Sequence, residues 1–345
     1  MGVKLIRVLI VDDSAVARQA ITNILESDSE LKVIGYAKNG VEGVEQTLKL
    51  KPDIITMDIY MPKLDGYQAT KEIMRLQPTP IIAVSASVDS IEMKTSFRAI
   101  NAGALGLVEK PLSVSDKRFK QIKDNLITKV KIMSAIKLVR RWQRNETVKK
   151  LYLPRGRDKR NTKIIAVGSS TGGPSAVNLI LKQLPKDFKI PIVIVQHITA
   201  GFSQAFADWL SGECQRMVRL AEDGRRILPG DILIAPDNTH FGISVSHQVS
   251  LADKVNYNHH RPSVNYLFDN VAKAYGSKAI ALILTGMGND GCVGIKAIKM
   301  AGGRTIAQDE ASSVVFGMPK AAIKAGVIDE VVPIDEMVKT ILRLI

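Results

Sequence analysis

Cysteine is almost missing from this chain of 345 residues: Cys214 and Cys292 are the two that occur, with no CxxC spacing between them. A disulfide framework and a cysteine-built zinc site are thereby excluded, and both side chains are expected to be small members of the core. Long apolar runs are missing as well. The cleanest one near a motif, residues 279–284, falls far short of the roughly 18 residues that a membrane-spanning helix needs. The opening MGVKLIRVLIVDDS brings two carboxylates where a secretion signal would carry small residues for cleavage. Ile6 stands where a myristoylation pattern requires Ser or Thr. These absences lead to the expectation of a cytoplasmic protein with no membrane insertion.

What is present is an ordinary globular balance of 46% hydrophobic and 24% charged residues, which argues against disorder. A chain of this length is expected to build two domains rather than one core. Its net charge of +14 is spread unevenly. Residues 116–163 hold 17 Lys and Arg against Asp116, Asp124, Glu146 and Asp158, a surplus of 13, and the remainder is close to neutral. So many like charges cannot pack together in a core, and the band, with Pro154 and Gly156 inside it, reads as an exposed linker. Ile, Leu, Met and Val recur at helical intervals between Lys117 and Val148, so the first half of the band can extend the last helix before it. Such a band either attracts an acidic protein surface or nucleic acid, or serves as a solvated tether.

Between Leu5 and Lys123 apolar runs alternate with amphipathic stretches. LIRVLIV precedes a helix from Ser14, LKVIGYA a helix from Asn39, and DIITM a helix after Pro62; IIAVS and LGLVE close the series. The alternation predicts a parallel sheet covered by helices on both faces, with its ligand site at the carboxyl ends of the strands. Asp12 and Asp13 follow the first strand, Asp58 the third, Ser85 the fourth and Lys110 the fifth. Clustered carboxylates repel one another unless a cation neutralises them, and hard oxygen donors suit Mg²⁺. A neutralised Asp58 can then attack a phosphoryl group while Lys110 and the Ser85 hydroxyl bind its oxygens. Asp65 reads as a helix N-cap.

The segments VDDS, MDIYMPKLDG, VSAS and EKP stand in this order, and on them about the first 122 residues resemble the response-regulator receiver family. The resemblance implies a flavodoxin-like fold with Asp58 as the phosphoacceptor and a histidine kinase as phosphodonor. It also implies Mg²⁺ held by Asp13, Asp58 and the Tyr60 carbonyl, with Asp12 acting through water, and a cis peptide before Pro111. Leu107 departs from the pattern, since many receivers carry Tyr or Phe three residues before the lysine; the output motion is expected to differ.

From Lys163 the alternation resumes. KIIAVG ends in Gly168-Ser169-Ser170-Thr171-Gly172-Gly173-Pro174 and runs into a helical pattern. Two serines and a threonine break GxGxxG, and Pro174 stands where a P-loop carries Lys. What remains is a serine on a strand-to-helix turn, near amides that can stabilise an oxyanion. A serine needs a base, and IPIVIVQH brings His197 to the end of another apolar strand. AIALILTGMGNDG ends a third with Asp290, a carboxylate to orient the imidazole. The order Ser, His, Asp differs from the Ser, Asp, His of α/β-hydrolases. Spacing alone leaves Ser169 and Ser170 as equal candidates.

GSSTGG, QHITAGFS, APDNTHF, HHRPSVNYLF, LTGMGNDG and AQDEASSVVFGMPKAA run in order through residues 161–345, and this region resembles the catalytic domain of the chemotaxis methylesterase family. The resemblance implies Ser170 as nucleophile, His197 as general base and then acid, Asp290 as its orienter, the Met287 amide as oxyanion donor and Thr171 as a support for the histidine. Ser169 departs from the usual Ala or Thr, and Asn265 from the Asp expected after PSV. The expected architecture is two doubly wound parallel-sheet α/β domains: a flavodoxin-like receiver at 1–125, a basic linker at 126–160, and a Rossmann-like serine-hydrolase domain at 161–345.

The implied activity is phosphorylation-activated hydrolysis of glutamate γ-methyl esters on methyl-accepting chemoreceptors, with deamidation of receptor glutamines. Mg²⁺ serves receiver phosphorylation, no cofactor serves hydrolysis, and the unphosphorylated receiver is implied to cover the catalytic site. The main rival is a phosphorylation-controlled DNA-binding regulator. After Lys163, however, the chain alternates strand and helix and is nearly neutral, unlike a compact helix-turn-helix, so no nucleic-acid partner is expected. A catalytically inert receptor-binding scaffold is a third reading, which an esterase assay separates from the first.

Overall fold

The computed structural model describes residues 5–85, 97–111, 119–136, 161–253 and 260–345. The chain divides into two compact units, Met1–Glu146 and Thr147–Ile345.

In the first unit, β1 (Ile6–Val11), β2 (Leu31–Ala37), β3 (Ile54–Asp58), β4 (Ile81–Ser85) and β5 (Gly106–Glu109) form one parallel sheet in the order β2-β1-β3-β4-β5. IITMD and IIAVS are buried along their whole length, the near-continuous apolar run that a strand covered on both faces requires. The helices α1 (Ala15–Leu25), α2 (Gly40–Leu50) and α3 (Gly66–Leu76) start behind Ser14, Asn39 and Asp65. Those side chains accept from the amides of Ala17, Glu42 and Gln68 and so satisfy first-turn donors. A fourth helix, α4, is described over residues 97–101. Then comes α5 (Phe119–Ser134); α1 packs with α5 and α2 with α3.

Helix α5 runs through the boundary expected at residue 125. Ile122, Leu126, Val130 and Met133 are buried at helical spacing, and the helix packs on β3, β4 and β5. The start of the expected linker is therefore part of the first unit's core. Some of the basic surplus is used there too: the Lys131 ammonium lies 3.2 Å from Asp28 and 2.6 Å from Glu30, and Lys129 donates to the Leu107 carbonyl at 2.8 Å. The linker beyond residue 136 lies outside the described residues.

The second unit carries β6 (Ile164–Ser169), β7 (Ile192–Gln196), β8 (Val218–Leu220), β9 (Ile232–Ile234), a hairpin of β10 (His240–Ile243) and β11 (Val249–Ala252), then β12 (Ala279–Ile283), β13 (Arg304–Gln308) and β14 (Glu330–Val332). Seven strands form a parallel sheet in the order β14-β13-β12-β6-β7-β9-β8. The helices are α6 (Gly173–Gln183), α7 (Ser203–Cys214), α8 (Val264–Tyr275), α9 (Cys292–Met300), α10 (Met318–Lys324) and α11 (Met337–Leu344). Alternate residues of three central strands, such as Ala166, Val195 and Ala281, pack against Leu267 and Phe268 of α8 and Ile295 of α9 in one core.

Both sheets reverse their strand order beside the first strand of the unit, between β1 and β3 in one and between β6 and β12 in the other. Crevices open at such switch points, at the strand carboxyl ends. Two expectations fail. Cys214 and Cys292 are half-buried and free, because each sits at a helix terminus, the last residue of α7 and the first of α9. Among the described residues the cis peptide is Arg261–Pro262; the Lys110–Pro111 bond is trans, the intrinsically favoured isomer.

Candidate active site and acidic crevice

At the first switch point, Asp12 and Asp13 follow β1 and Asp58 ends β3. The Lys110 ammonium, just beyond β5, lies 2.7 Å from Asp12 Oδ2 and 3.0 Å from Asp58 Oδ2. Asp12, Asp58 and Lys110 are buried and Asp13 is exposed. Asp58 Oδ1 accepts from the Ile59 amide and Asp12 Oδ1 from the Ser14 amide. Burial pushes the Asp58 carboxyl up to about 6; Lys110 pulls it down and Asp12 pushes it further up. Burial also works against the Lys110 charge, but Asp12 and Asp58 hold that ammonium above its ordinary range.

Asp12, Asp13 and Asp58 each bring a carboxylate oxygen within 4.8 Å of the others. This hard-oxygen set fits a small divalent cation such as Mg²⁺. Ser85 ends β4, buried, with its carbonyl accepting from the Lys110 amide at 2.8 Å. Tyr60 stands two residues past Asp58 with its side chain exposed.

At the second switch point three strand ends converge. Ser169 closes β6 and Ser170 begins the turn into α6, while His197 follows β7 and Asp290 lies in the loop between β12 and α9. His197 Nε2 bonds Asp290 Oδ2 at 2.9 Å. Asp290 is 2% exposed and its carboxylate is well supplied with donors. Oδ1 accepts from Ser263 Oγ at 2.9 Å and the Asn265 amide at 3.0 Å, and Oδ2 from the Val264 amide at 2.7 Å. The first amides of α8 thus point at an anion, where the helix dipole also favours negative charge. Burial pushes the Asp290 carboxyl up, but the hydrogen bond and charge of His197, with the Val264 and Asn265 amides, hold it below its ordinary range.

The departure at Asn265 makes sense here. Its side-chain oxygen accepts from the Gly294 amide at 2.8 Å, a bond that places no second buried carboxylate beside Asp290.

The two serines are unlike. Ser169 is fully buried and its hydroxyl donates to Gln196 Oε1 at 2.6 Å, whereas Ser170 is half-buried. The Ser170 hydroxyl and His197 are not hydrogen-bonded to each other, and with Nε2 committed to Asp290 the ring atom left for a serine is Nδ1. The Ser170 amide donates to the Thr285 carbonyl at 3.0 Å. Gly286 lies so close that a Cβ there would stand 2.7 Å from Ser170 Cβ. Only glycine leaves that room, and the Met287 amide follows directly. Thr171 is not joined to His197; its carbonyl accepts from the Thr285 hydroxyl at 2.9 Å.

Three site residues escaped the sequence reading. Gln196 and Gln308 end β7 and β13, and each ties neighbouring strand ends together: Gln196 donates to the Ser170 carbonyl at 2.8 Å and Gln308 accepts from the Thr285 amide at 2.8 Å. The signal was available, since each is a polar residue closing an apolar strand. His260 stacks on His197 with ring centroids 4.6 Å apart and planes 21° apart. It belongs to the HHRPSVN segment, where spacing gives no hint of its neighbour.

Two parallel α/β units, one with a lysine-closed carboxylate crevice and the other with an aspartate-held imidazole beside a serine turn, make this a receiver-coupled effector protein. A family model described as response regulator receiver domain matches residues 8–120, and one described as CheB methylesterase matches residues 165–341. The chain belongs to the CheB methylesterase family. It is 41% identical to the protein-glutamate methylesterase/protein-glutamine glutaminase 1 of Syntrophus aciditrophicus, over 99% of this chain and 98% of that one. It is 38% identical to the corresponding protein of Thermotoga maritima, over 99% of each. The crystal structure of the Thermotoga maritima CheB methylesterase catalytic domain superposes with a TM-score of 0.52 at 41% identity, covering 53% of this chain and 99% of that one.

Proposed function

We propose that this chain is a protein-glutamate methylesterase and protein-glutamine glutaminase acting on methyl-accepting chemoreceptors, and that phosphorylation of Asp58 raises its turnover. The observation that carries the reading is the 2.9 Å bond from His197 Nε2 to the buried Asp290 carboxylate, one strand from the Ser170 turn. That bond leaves the His197 Nδ1 lone pair as the base. Nδ1 takes the Ser170 Oγ proton as Oγ bonds the γ-carbonyl carbon of the glutamyl ester. The Met287 amide and the first amides of α6 meet the charge that develops on the carbonyl oxygen. His197 then returns the proton to the leaving oxygen, methanol departs, and a water deprotonated by His197 hydrolyses the glutamyl-serine ester. With a glutamine substrate the same steps release ammonia.

In the receiver unit, an Asp58 oxygen attacks the phosphorus of a phosphohistidine on a histidine kinase; the P–N bond breaks, the imidazole leaves, and the acyl phosphate formed has oxygens that Lys110 and Ser85 bind. Asp13 and Asp58 would hold Mg²⁺ with the Tyr60 carbonyl, Asp12 acting through water, and the bound ion supplies charge neutralisation at the acceptor. The new charge biases a two-state element by its differential contacts in the two states. No helix among the described residues is long and apolar enough to cross a membrane, and the reading places the protein in the cytoplasm. Methanol release from methylated receptor membranes tests the proposal. Ser170→Ala is expected to bring it to background in a folded protein; retained turnover would remove Ser170 from the mechanism.

A further inference from the structure

Behind the serine turn lies a glutamine with no part in the steps above. Gln196 ends β7 and is 3% exposed. Its Nε2 donates to the Ser170 carbonyl and to the His197 carbonyl, both at 2.8 Å. Its Oε1 accepts from the Ser169 hydroxyl at 2.6 Å. Chemistry dictates the polarity of this cluster. Backbone carbonyls only accept, so the amide nitrogen must face them; the amide oxygen then faces Ser169, whose hydroxyl must donate.

The main chain adds a parallel tie, the His197 amide to the Ser169 carbonyl at 2.9 Å. Gly173 completes the fit, because a Cβ there would stand 2.1 Å from Gln196 Oε1. The side-chain fork thus joins the peptide of Ser170 to that of His197, and the Ser169 hydroxyl anchors its amide oxygen.

We propose that Ser169 and Gln196 form a positioning pair that fixes the distance and angle between the Ser170 hydroxyl and the His197 ring. The inference rests on the reading of those two residues as nucleophile and base. Neither Ser169 nor Gln196 touches substrate in this role, so their loss acts on the chemical step rather than on binding. A misplacement on the order of 1 Å between reacting groups costs about 100-fold in rate.

The test uses the full chain and a small soluble ester, with kcat, KM and the melting temperature measured for each variant. Gln196→Met removes the fork at similar length and is expected to lower kcat by about 10- to 100-fold with KM little changed. Ser169→Ala, which removes the donor to the buried amide oxygen, is expected to lower kcat by about 2- to 10-fold, the size of one ordinary hydrogen bond. In the Gln196→Met background Ser169→Ala is expected to add nothing, because no fork remains to orient. Gln196→Glu gives a signature that simple loss of packing does not. Ionised, its carboxylate opposes two carbonyls; protonated, it donates to one of them and accepts from Ser169. Its kcat relative to the unmodified chain is therefore expected to rise as pH falls.

A folded Gln196→Met with unchanged kcat, or with its loss confined to KM, overturns the proposal. So does full additivity of the two substitutions. If Gln196→Met does not fold, the Ser169→Ala kcat and the Gln196→Glu pH profile decide in the same way. Ser170→Ala run in parallel separates the two levels: activity there sinks the nucleophile assignment, whereas an inactive Ser170→Ala beside an unaffected Gln196→Met sinks the positioning pair alone.

Discussion

Replacing Asp290 by asparagine keeps the shape of the side chain and removes its charge and one acceptor. The carboxylate meets donors on both oxygens, Ser263 Oγ and the Asn265 amide on one, the Val264 amide and His197 Nε2 on the other. The Gly291 amide also donates to the first oxygen, so an asparagine amide turns its NH₂ toward three donors in one orientation and two in the other. Losing one charge-assisted bond to His197 is worth about 1.5–3 kcal/mol, which lowers kcat by about 10- to 150-fold. A buried amide left without an acceptor costs about 1–3 kcal/mol, a fall of roughly 2–12 °C in the melting temperature of a unit this size.

The pH dependence follows from the depressed carboxyl of Asp290. A group lowered in the folded state contributes stability that is complete above its unfolded value, about 3.9, and that is lost as pH falls through the folded value. Below about pH 4 the unmodified protein is expected to lose stability more steeply than Asp290→Asn. Methanol release from methylated receptor membranes gives the kcat, and calorimetric melts between pH 3 and 7 give the stability. An Asp290→Asn protein with unimpaired turnover would refute the idea that this carboxylate holds the base.

Phosphodonor with Mg²⁺ is expected to raise the turnover of the whole chain, and Asp58→Asn to abolish that rise while leaving basal methanol release intact. Residues 161–345 alone are expected to turn over faster than the unphosphorylated whole chain; a folded fragment that is slower would make the receiver an obligatory activator. Leu126→Ala, at a fully buried position of α5, is expected to cost about 2–5 kcal/mol, read from denaturant melts of the receiver. If α5 completes that core, a fragment ending at residue 125 is far less stable than one ending at 136. Receptor affinity is expected to fall with salt, since exposed charges are screened over about 10 Å at 0.1 M. Neutralising Arg140, Arg141, Lys149 and Lys150, which lie outside the described residues, flattens that dependence without altering hydrolysis of a small ester; an affinity indifferent to salt leaves the linker as a tether.

Much of the fold could be read from local pattern. Ser14, Asn39 and Asp65 cap the helices that follow them, because a short polar side chain satisfies first-turn amides wherever an apolar periodicity begins. IITMD and IIAVS announce strands buried on both faces. Polar residues just past such strands mark the crevice, since parallel sheets present their carboxyl ends there. That rule singles out Asp12, Asp13, Asp58, Ser85, Lys110, His197, Asp290 and the pair Ser169 and Ser170. The same rule applied to Gln196 and Gln308 would have found the clamps.

The boundary expected at residue 125 falls inside α5 (Phe119–Ser134). The apolar residues at helical intervals in the basic band signal that extension, and Ile122, Leu126, Val130 and Met133 are buried along it.

Tertiary structure decided what separation along the chain conceals. Asp290 lies 93 residues from His197 and 26 from Val264, and only the strand order β12-β6-β7 with α8 above it brings them together. Which serine is free could not come from GSSTGG, because adjacent residues at a strand end point to opposite sides. One hydroxyl had to face the sheet interior, and the partner that receives it, Gln196, arrives from the neighbouring strand. His260 against His197 is likewise a contact between distant loops. Sequence thus determined the elements and the chemistry at their ends, through interactions a few residues long. The pairings among those ends depend on sheet order and register, which exist only once the whole unit has folded.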